Sequence, residues 1–239
     1  MMKQFFGTDY PERQIVVKEG DTLCFGRHTI TFVFAPMIHW PEAMVSFDLT
    51  DGVLFSADAF GTFGALDGKL FADEVDFDRD YLKEARRYYT NIVGKYGAQV
   101  QALLKKASAL EIETVCPLHG RVLTGEALGE ALRLYDLWSR WQSESPDDIL
   151  LAHASIHGNT ARAAELFKQK LEAKGARVTL CDLTTTEVSY AVANAFYCGK
   201  LVLACSTYDG ALFPPMEEFL THLQAKGFRD RTVGLIENG

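Results

Sequence analysis

Residues 148–183 read DILLAHASIHGNTARAAELFKQKLEAKGARVTLCDL, and this stretch decides the fold class. Its first seven residues form an apolar run, as expected of a parallel strand that is covered on both faces. A helical segment follows and ends at Gly175, and a second strand-like run begins at Arg177. The same alternation continues downstream, with a short helix at 188–195, a strand at 201–206, a helix from about Pro215 and a strand at 232–237. This β-α-β order predicts a doubly wound parallel sheet in an α/β protein.

The sequence upstream has a different pattern. Short runs rich in β-branched and aromatic residues predict strands at 14–18, 29–34, 44–49 and 53–57. Asp51-Gly52 separates the last two runs and predicts a tight hairpin turn. Helical spacing begins at Asp78, and a strand at 113–118 and a helix at 126–141 follow. The polar segment SESPDD then separates two predicted domains, 1–143 and 147–239.

Composition excludes several classes of protein. The 239 residues include 24 Lys and Arg against 32 Asp and Glu, a net charge of −8, and 48% are hydrophobic. This balance excludes a disordered tail, and an acidic chain lacks the charge expected of a nucleic-acid binder. The sequence contains no run of about 18 apolar residues, so it predicts no membrane span. The five cysteines form no C-x-x-C pair, so we expect free thiols in the cytoplasm.

The loop SIHGNT at 155–160 suits a phosphate group. Its small and hydroxyl-bearing residues let successive backbone N–H groups point inward, and the following helix adds the partial positive charge of its N-terminus. No Gly-Lys-Ser/Thr follows, which excludes a nucleoside-triphosphate loop, and no G-x-G-x-x-G supports a dinucleotide site. An ordinary capping loop, with Ser155 or Thr160 as the N-cap, explains the same residues.

A second loop, CSTYDG at 205–210, follows the third strand of the alternation. A doubly wound sheet presents its ligand crevice at this edge. Tyr208 offers a flat face for a ring, whereas Asp209 and Gly210 offer backbone groups for the polar edge of that ring. Tyr208 could instead only cover the sheet, but two loops that share one crevice favour a bound ligand.

Three candidate metal ligands lie in the first half. His39, Asp58 and His119 each follow a β-rich run, so they could converge at one edge of a sheet. Imidazole and carboxylate without thiolate suit iron, zinc or manganese. A single histidine or aspartate at a strand end is more often a hydrogen-bonded loop residue, and the spacing alone does not decide between these interpretations.

The two loops of the second half together resemble those of an FMN-binding flavodoxin domain. The resemblance rests on S-x-x-G-N-T after the first strand and S-T-Y-D-G after the third. It implies that the phosphate of FMN is held by Ser155, His157, Gly158, Asn159 and Thr160. It implies that the flavin ring is lined by Ser206, Thr207, Tyr208, Asp209 and Gly210. A third flavin loop would begin at Glu237, Asn238 and Gly239.

The first half resembles the later part of the metallo-β-lactamase-type domain of flavodiiron proteins. The matching segments are HWPE at 39–42, FSADAFG at 55–61 and PLHG at 117–120, and the order of the two domains matches as well. The resemblance implies an incomplete αββα domain followed by a flavodoxin-like sheet without its last strand. It also implies that His39 and His119 are iron ligands and that Asp58 bridges two irons.

The same resemblance implies an activity and partners. Flavodiiron proteins reduce dioxygen or nitric oxide at two irons, with electrons that pass through FMN from a rubredoxin-like donor. They form head-to-tail homodimers. The family's other ligand cluster, His-x-Glu-x-Asp-His, does not occur in these residues. We therefore expect a fragment, or one chain that a complementing chain completes; the alternatives are an FMN-binding electron carrier without a working metal site and an inactive truncated product.

Overall fold

The computed structural model describes residues 2–238, except for the side chain of Asn238. Within this range the first half forms a six-stranded sheet in the order β1-β2-β3-β4-β5-β6. Its strands are β1 (Thr22–Phe25), β2 (His28–Phe34), β3 (Met44–Asp48), β4 (Val53–Phe55), β5 (Thr114–Cys116) and β6 (Leu123–Thr124). Only the β4–β5 pair in this described sheet is parallel, because the helical segment 77–107 connects these two strands.

Helices cover one face of this first sheet. The covering helices are α2 (Lys83–Tyr88), α3 (Gly97–Ala107) and α4 (Gly125–Ser139), and single π-helical turns flank α2. The short α1 (Met2–Phe6) is exposed and buries no residue. Strand residues such as Phe47 and Leu54 share a buried core with Leu134 and Trp138 of α4. The opposite face is more accessible, because its residues Phe34 and Phe55 are 38% and 50% exposed. The sheet thus has one covered and one open apolar face.

The second half forms a parallel sheet in the order β8-β7-β9-β11. Its strands are β7 (Ser145–Ala154), β8 (Val178–Asp182), β9 (Cys198–Tyr208) and β11 (Thr232–Asn238), and the short β10 (Ala211–Leu212) folds back on the end of β9. Helices α6 (Val188–Tyr197) and α7 (Pro214–Ala225) pack on one face, and α5 (Asn159–Glu172) packs on the other. The α/β class and the doubly wound order predicted from the sequence are confirmed.

A buried ion pair lies where the two sheets meet. Arg86 donates two hydrogen bonds to the carboxylate of Glu144, and the indole N–H of Trp138 donates to the same carboxylate at 2.7 Å. Strand β7 begins at Ser145, next to this pair. The division of the chain into two domains at 143–147 stays a prediction.

One predicted strand is wrong. Residues 14–18 pair with no strand in the described chain, and Ile15 and Val16 are 68% and 85% exposed. A β-branched run becomes a strand only where a neighbouring strand and a packing surface receive it. The strands predicted at 29–34, 44–49 and 53–57 are confirmed as β2, β3 and β4.

None of the helices found in residues 2–238 is both long and apolar enough to cross a bilayer.

Candidate functional site

The structure brings the three predicted metal ligands together. The Nε2 atom of His39 lies 3.3 Å from Oδ2 of Asp58, and Nε2 of His119 lies 3.1 Å from Oδ1 of the same carboxylate. The three side chains are 27%, 20% and 55% exposed in the order His39, Asp58 and His119. Each imidazole therefore meets a different oxygen of one partly buried carboxylate.

Backbone hydrogen bonds hold the Asp58 turn against the His119 turn. The amide of Leu118 donates to the carbonyl of Ala57 at 2.9 Å, and the amide of Thr62 donates to the carbonyl of His119 at 3.1 Å. These bonds continue the parallel pairing of β4 with β5 beyond the ends of both strands. The convergence of Asp58 and His119 is thus a consequence of the sheet register.

Two tyrosines support the Asp58 turn from below. Phe60 has a positive φ of 65°, which is unusual for a residue with a side chain. Its amide donates to the hydroxyl of Tyr135 at 2.6 Å, and the hydroxyl of Tyr81 donates to its carbonyl at 3.3 Å. Burial holds the pKa of Tyr135 well above its usual range, so its hydroxyl stays neutral. The core therefore stabilises the strained turn that carries Asp58.

A cavity of about 640 Å³ opens beside the cluster and is lined by His39, His119 and Tyr88. The rings of Tyr88 and His119 are 5.8 Å apart. Burial, followed by the nearby Asp58 carboxylate, raises the pKa of Tyr88 far above its ordinary value. Tyr88 lies within the helical pattern that the sequence predicts from Asp78 onward. No motif distinguished it from the core tyrosines, so its place in the cavity was missed.

The donor set fits metal ions such as iron. His39, His119 and Asp58 would hold them, because imidazole and carboxylate are suitable ligands for these ions. Among the described residues, a cluster in which three ligand atoms lie within 4.8 Å of one another occurs elsewhere, at His28, Asp48 and Asp51. The members of this second cluster belong to different hairpins, so no spacing in the sequence indicates it.

The predicted phosphate loop begins α5. Gly158 caps this helix with φ of 86°, a conformation that favours glycine, and its amide donates to the hydroxyl of Ser155 at 3.0 Å. His157 and Asn159 are exposed beside it. The loop therefore presents the N-terminus of a 14-residue helix at the carboxyl edge of the sheet.

The second predicted loop adjoins the first. The hydroxyls of Thr160 and Ser206 are 2.7 Å apart, which links the start of α5 to β9. Thr207 and Tyr208 pair with β10 across a turn at Asp209 and Gly210, and the Tyr208 ring is 51% exposed.

Strand β11 brings the third predicted segment to the same edge, with Asn238 opposite Ser206. Gly239, also predicted to contact the flavin, lies outside the described residues. A cavity of about 560 Å³ beside this edge is lined by Ser206, Thr207, Gly210 and Glu237 among others. The lining of this cavity includes neither the phosphate loop at 155–160 nor Tyr208. The structure therefore joins the first two loops through the contact of Thr160 with Ser206 and places the third segment on the neighbouring strand.

Known proteins resemble this chain in sequence and fold. The protein family described as ODP family beta lactamase matches residues 2–120. An anaerobic nitric oxide reductase flavorubredoxin of Vibrio vulnificus is 28% identical over 218 residues, which cover 89% of this chain and 43% of that protein. The flavodiiron protein of Giardia intestinalis superposes with a TM-score of 0.91 at 24% identity, over 99% of this chain and 57% of that one. The rubredoxin oxygen:oxidoreductase of Desulfovibrio gigas gives a TM-score of 0.88 at 24% identity, over 99% and 58%.

These matches identify the first half of the chain as a β-lactamase-like domain, and they also identify the family of the chain. The two halves resemble, in order, the lactamase-like and flavodoxin-like parts of flavodiiron proteins. The chain belongs to the flavodiiron protein family. It spans about half the length of the curated relatives that it matches.

Proposed function

We propose that this chain is the part of a flavodiiron oxidoreductase that binds FMN and supplies His39, Asp58 and His119 as iron ligands. The whole protein would reduce dioxygen or nitric oxide. One observation carries the proposal: the two imidazoles face opposite oxygens of Asp58 at one sheet edge. Iron held by these residues would supply the redox chemistry that a diatomic gas requires, and FMN held at the second sheet would supply the electrons.

The residues around the cluster would control access and protonation. Phe63, Leu66 and Leu118 contribute apolar side chains to the cavity, which His39, Thr62 and His119 also line. These apolar side chains would accommodate a small uncharged gas. The hydroxyl of Tyr88 is protonated at neutral pH, as in an ordinary tyrosine, and burial raises its pKa further, so it can donate a hydrogen bond within the cavity.

The electron path would begin at the second sheet. Ser155 and the first turn of α5 would bind the FMN phosphate, and Tyr208 would pack on the flavin ring. The name of the Vibrio vulnificus relative supports nitric oxide as substrate and a rubredoxin-like donor. The free cysteines support a reducing cytoplasm as the compartment.

Additional polypeptide would complete the metal site. The open face of the first sheet presents Phe34 and Phe55, and the cluster lies at one edge of that sheet. A segment or complementing chain with His-x-Glu-x-Asp-His would cover this face and add the remaining ligands. Leu118, which lines the cavity, is 73% exposed, and Trp40, next to His39 in sequence, is 60% exposed. These two exposed apolar side chains near the cluster support a head-to-tail dimer contact.

Gas consumption tests the proposal. The FMN-loaded chain is mixed anaerobically with Fe²⁺ and a polypeptide that carries the missing cluster, and nitric oxide or dioxygen is then supplied with reduced rubredoxin. We expect turnover that Asp58→Asn abolishes while FMN remains bound. Unchanged turnover in Asp58→Asn would show the metal assignment to be wrong.

A second candidate, an FMN-binding electron carrier, rests on the two adjoining loops at 155–160 and 205–210, which would bind FMN without any contribution from the cluster at Asp58. Bound FMN without gas consumption in the same experiment would favour it.

A further inference from the structure

We propose that His28, Asp48 and Asp51 form a second site for a divalent cation, separate from the cluster at Asp58. The Nδ1 atom of His28 lies 2.7 Å from Oδ2 of Asp48 and 3.6 Å from Oδ2 of Asp51. All three ligand atoms lie within 4.8 Å of one another. An ion bound among them would replace these direct contacts with metal–ligand bonds.

Two hairpins hold the ligands in place. His28 begins β2 directly after the turn at Gly26 and Arg27, and it pairs with Phe25. Asp48 ends β3, where it pairs with Ile30 of β2. The backbone register therefore brings His28 and Asp48 together without any movement of the chain.

The side chain of Asp48 is fixed and aimed at the site. Its Oδ1 accepts a hydrogen bond from the amide of Thr50 at 2.9 Å, which leaves Oδ2 directed at His28. Burial opposes ionisation of this carboxyl, which is only 8% exposed, but the Thr50 amide and His28 outweigh burial and hold its pKa below the usual range. The site therefore contains a preoriented carboxylate at neutral pH.

The local charge favours a cation. The cluster contains two carboxylates, those of Asp48 and Asp51. One guanidinium, that of Arg27, contacts it, and its Nη2 lies 3.1 Å from Oδ2 of Asp51. His28 and Asp51 are 38% and 44% exposed, so an ion can reach these two ligands from solvent and water can complete its coordination.

The ligand chemistry selects the class of ion. One imidazole and two carboxylates, with no thiolate, suit Zn²⁺, Mn²⁺ or Fe²⁺. Arg27 would compete with the ion for Asp51, so its removal should strengthen binding.

Zinc titration of the full chain tests this site. The background carries His39→Ala and His119→Ala, so that the cluster at Asp58 cannot account for the signal. We expect one Zn²⁺ per chain, with a shift of the His28 ring resonances in NMR spectra. Asp51→Asn should weaken affinity about tenfold or more, since it removes one ligand from an exposed turn.

Two further variants sharpen the test. Arg27→Gln, at a side chain that is 75% exposed, should raise the affinity several-fold. Asp73→Asn, at an exposed acidic residue away from the cluster, should leave it unchanged. The proposal is overturned if no zinc binds, if the His28 resonances do not move, or if Asp51→Asn binds zinc as tightly as its background.

Discussion

Replacing Gly120 by alanine tests whether the turn that carries His119 is as closely packed as the structure shows. Gly120 has φ of 95°, in the region that favours glycine, and a Cβ atom there would lie 2.1 Å from Oγ1 of Thr62. Thr62 is itself buried, at 8% exposure, and its amide is hydrogen-bonded to His119. The added methyl group therefore meets both backbone strain and a crowded neighbour.

The two costs can be separated. Left-handed backbone costs an alanine about 1–2 kcal/mol. Forcing Thr62 aside adds about 1–3 kcal/mol, as in other overpacked cores. We therefore expect Gly120→Ala to lower the free energy of unfolding by about 2–5 kcal/mol. Gly175, with φ of 85° and no atom within 4 Å of its added Cβ, supplies a matched control that carries the backbone cost alone.

Urea denaturation of the two variants measures the difference. Thr62→Ala in the Gly120→Ala background should recover part of the loss, because it removes the closest atom. Equal destabilisation by Gly120→Ala and Gly175→Ala would refute the crowding that we infer at the His119 turn.

Three other changes probe the junction, the second sheet and the flavin site. Glu144→Gln leaves Arg86 buried without a counter-charge and should lower the free energy of unfolding by about 3–5 kcal/mol. Glu130→Gln, in the exposed pair with Arg133, is the control and should lower it by less than about 1 kcal/mol. Similar losses in the two variants by urea denaturation would contradict the burial of the Arg86–Glu144 pair. Burial lowers the pKa of His153, whose Nδ1 has no hydrogen-bond partner, so the folded state favours the neutral imidazole. The free energy of unfolding should therefore be full above about pH 6.5 and fall as the pH drops below that value. His153→Gln should flatten that part of the stability curve, and an unchanged slope would count against the assignment. Thr160→Val removes the hydroxyl that contacts Ser206 and should weaken FMN binding about tenfold in a fluorescence titration. Iron binding should be unaffected. An FMN affinity equal to that of the wild type would exclude Thr160 from the flavin site.

Much of the fold could be predicted because the signals were local. The apolar run before the loop at 155–160 and the helical period after it depend only on neighbouring residues, and β7 and α5 form there. Residues 14–18 misled for the opposite reason. Their β-branched side chains suit a strand, but strand formation needs a pairing partner that local sequence does not reveal.

The candidate sites were predictable where they follow strand ends. His39, Asp58 and His119 each follow a β-run, so topology brings them to one edge. Tyr88 reaches the same cavity from a helix through packing between distant segments, which no spacing in the sequence records. The cluster at His28 depends on the register of β2 against β3, and such a register is visible only in the folded chain.

Cofactor content after anaerobic reconstitution with FMN, Fe²⁺ and the complementing polypeptide that carries His-x-Glu-x-Asp-His tests the central claim most directly. We predict one FMN per chain, together with iron that Asp58→Asn releases while the FMN stays bound. A chain that takes up no FMN would contradict the flavin site, and an Asp58→Asn variant that retains all of the wild-type iron would contradict the metal site.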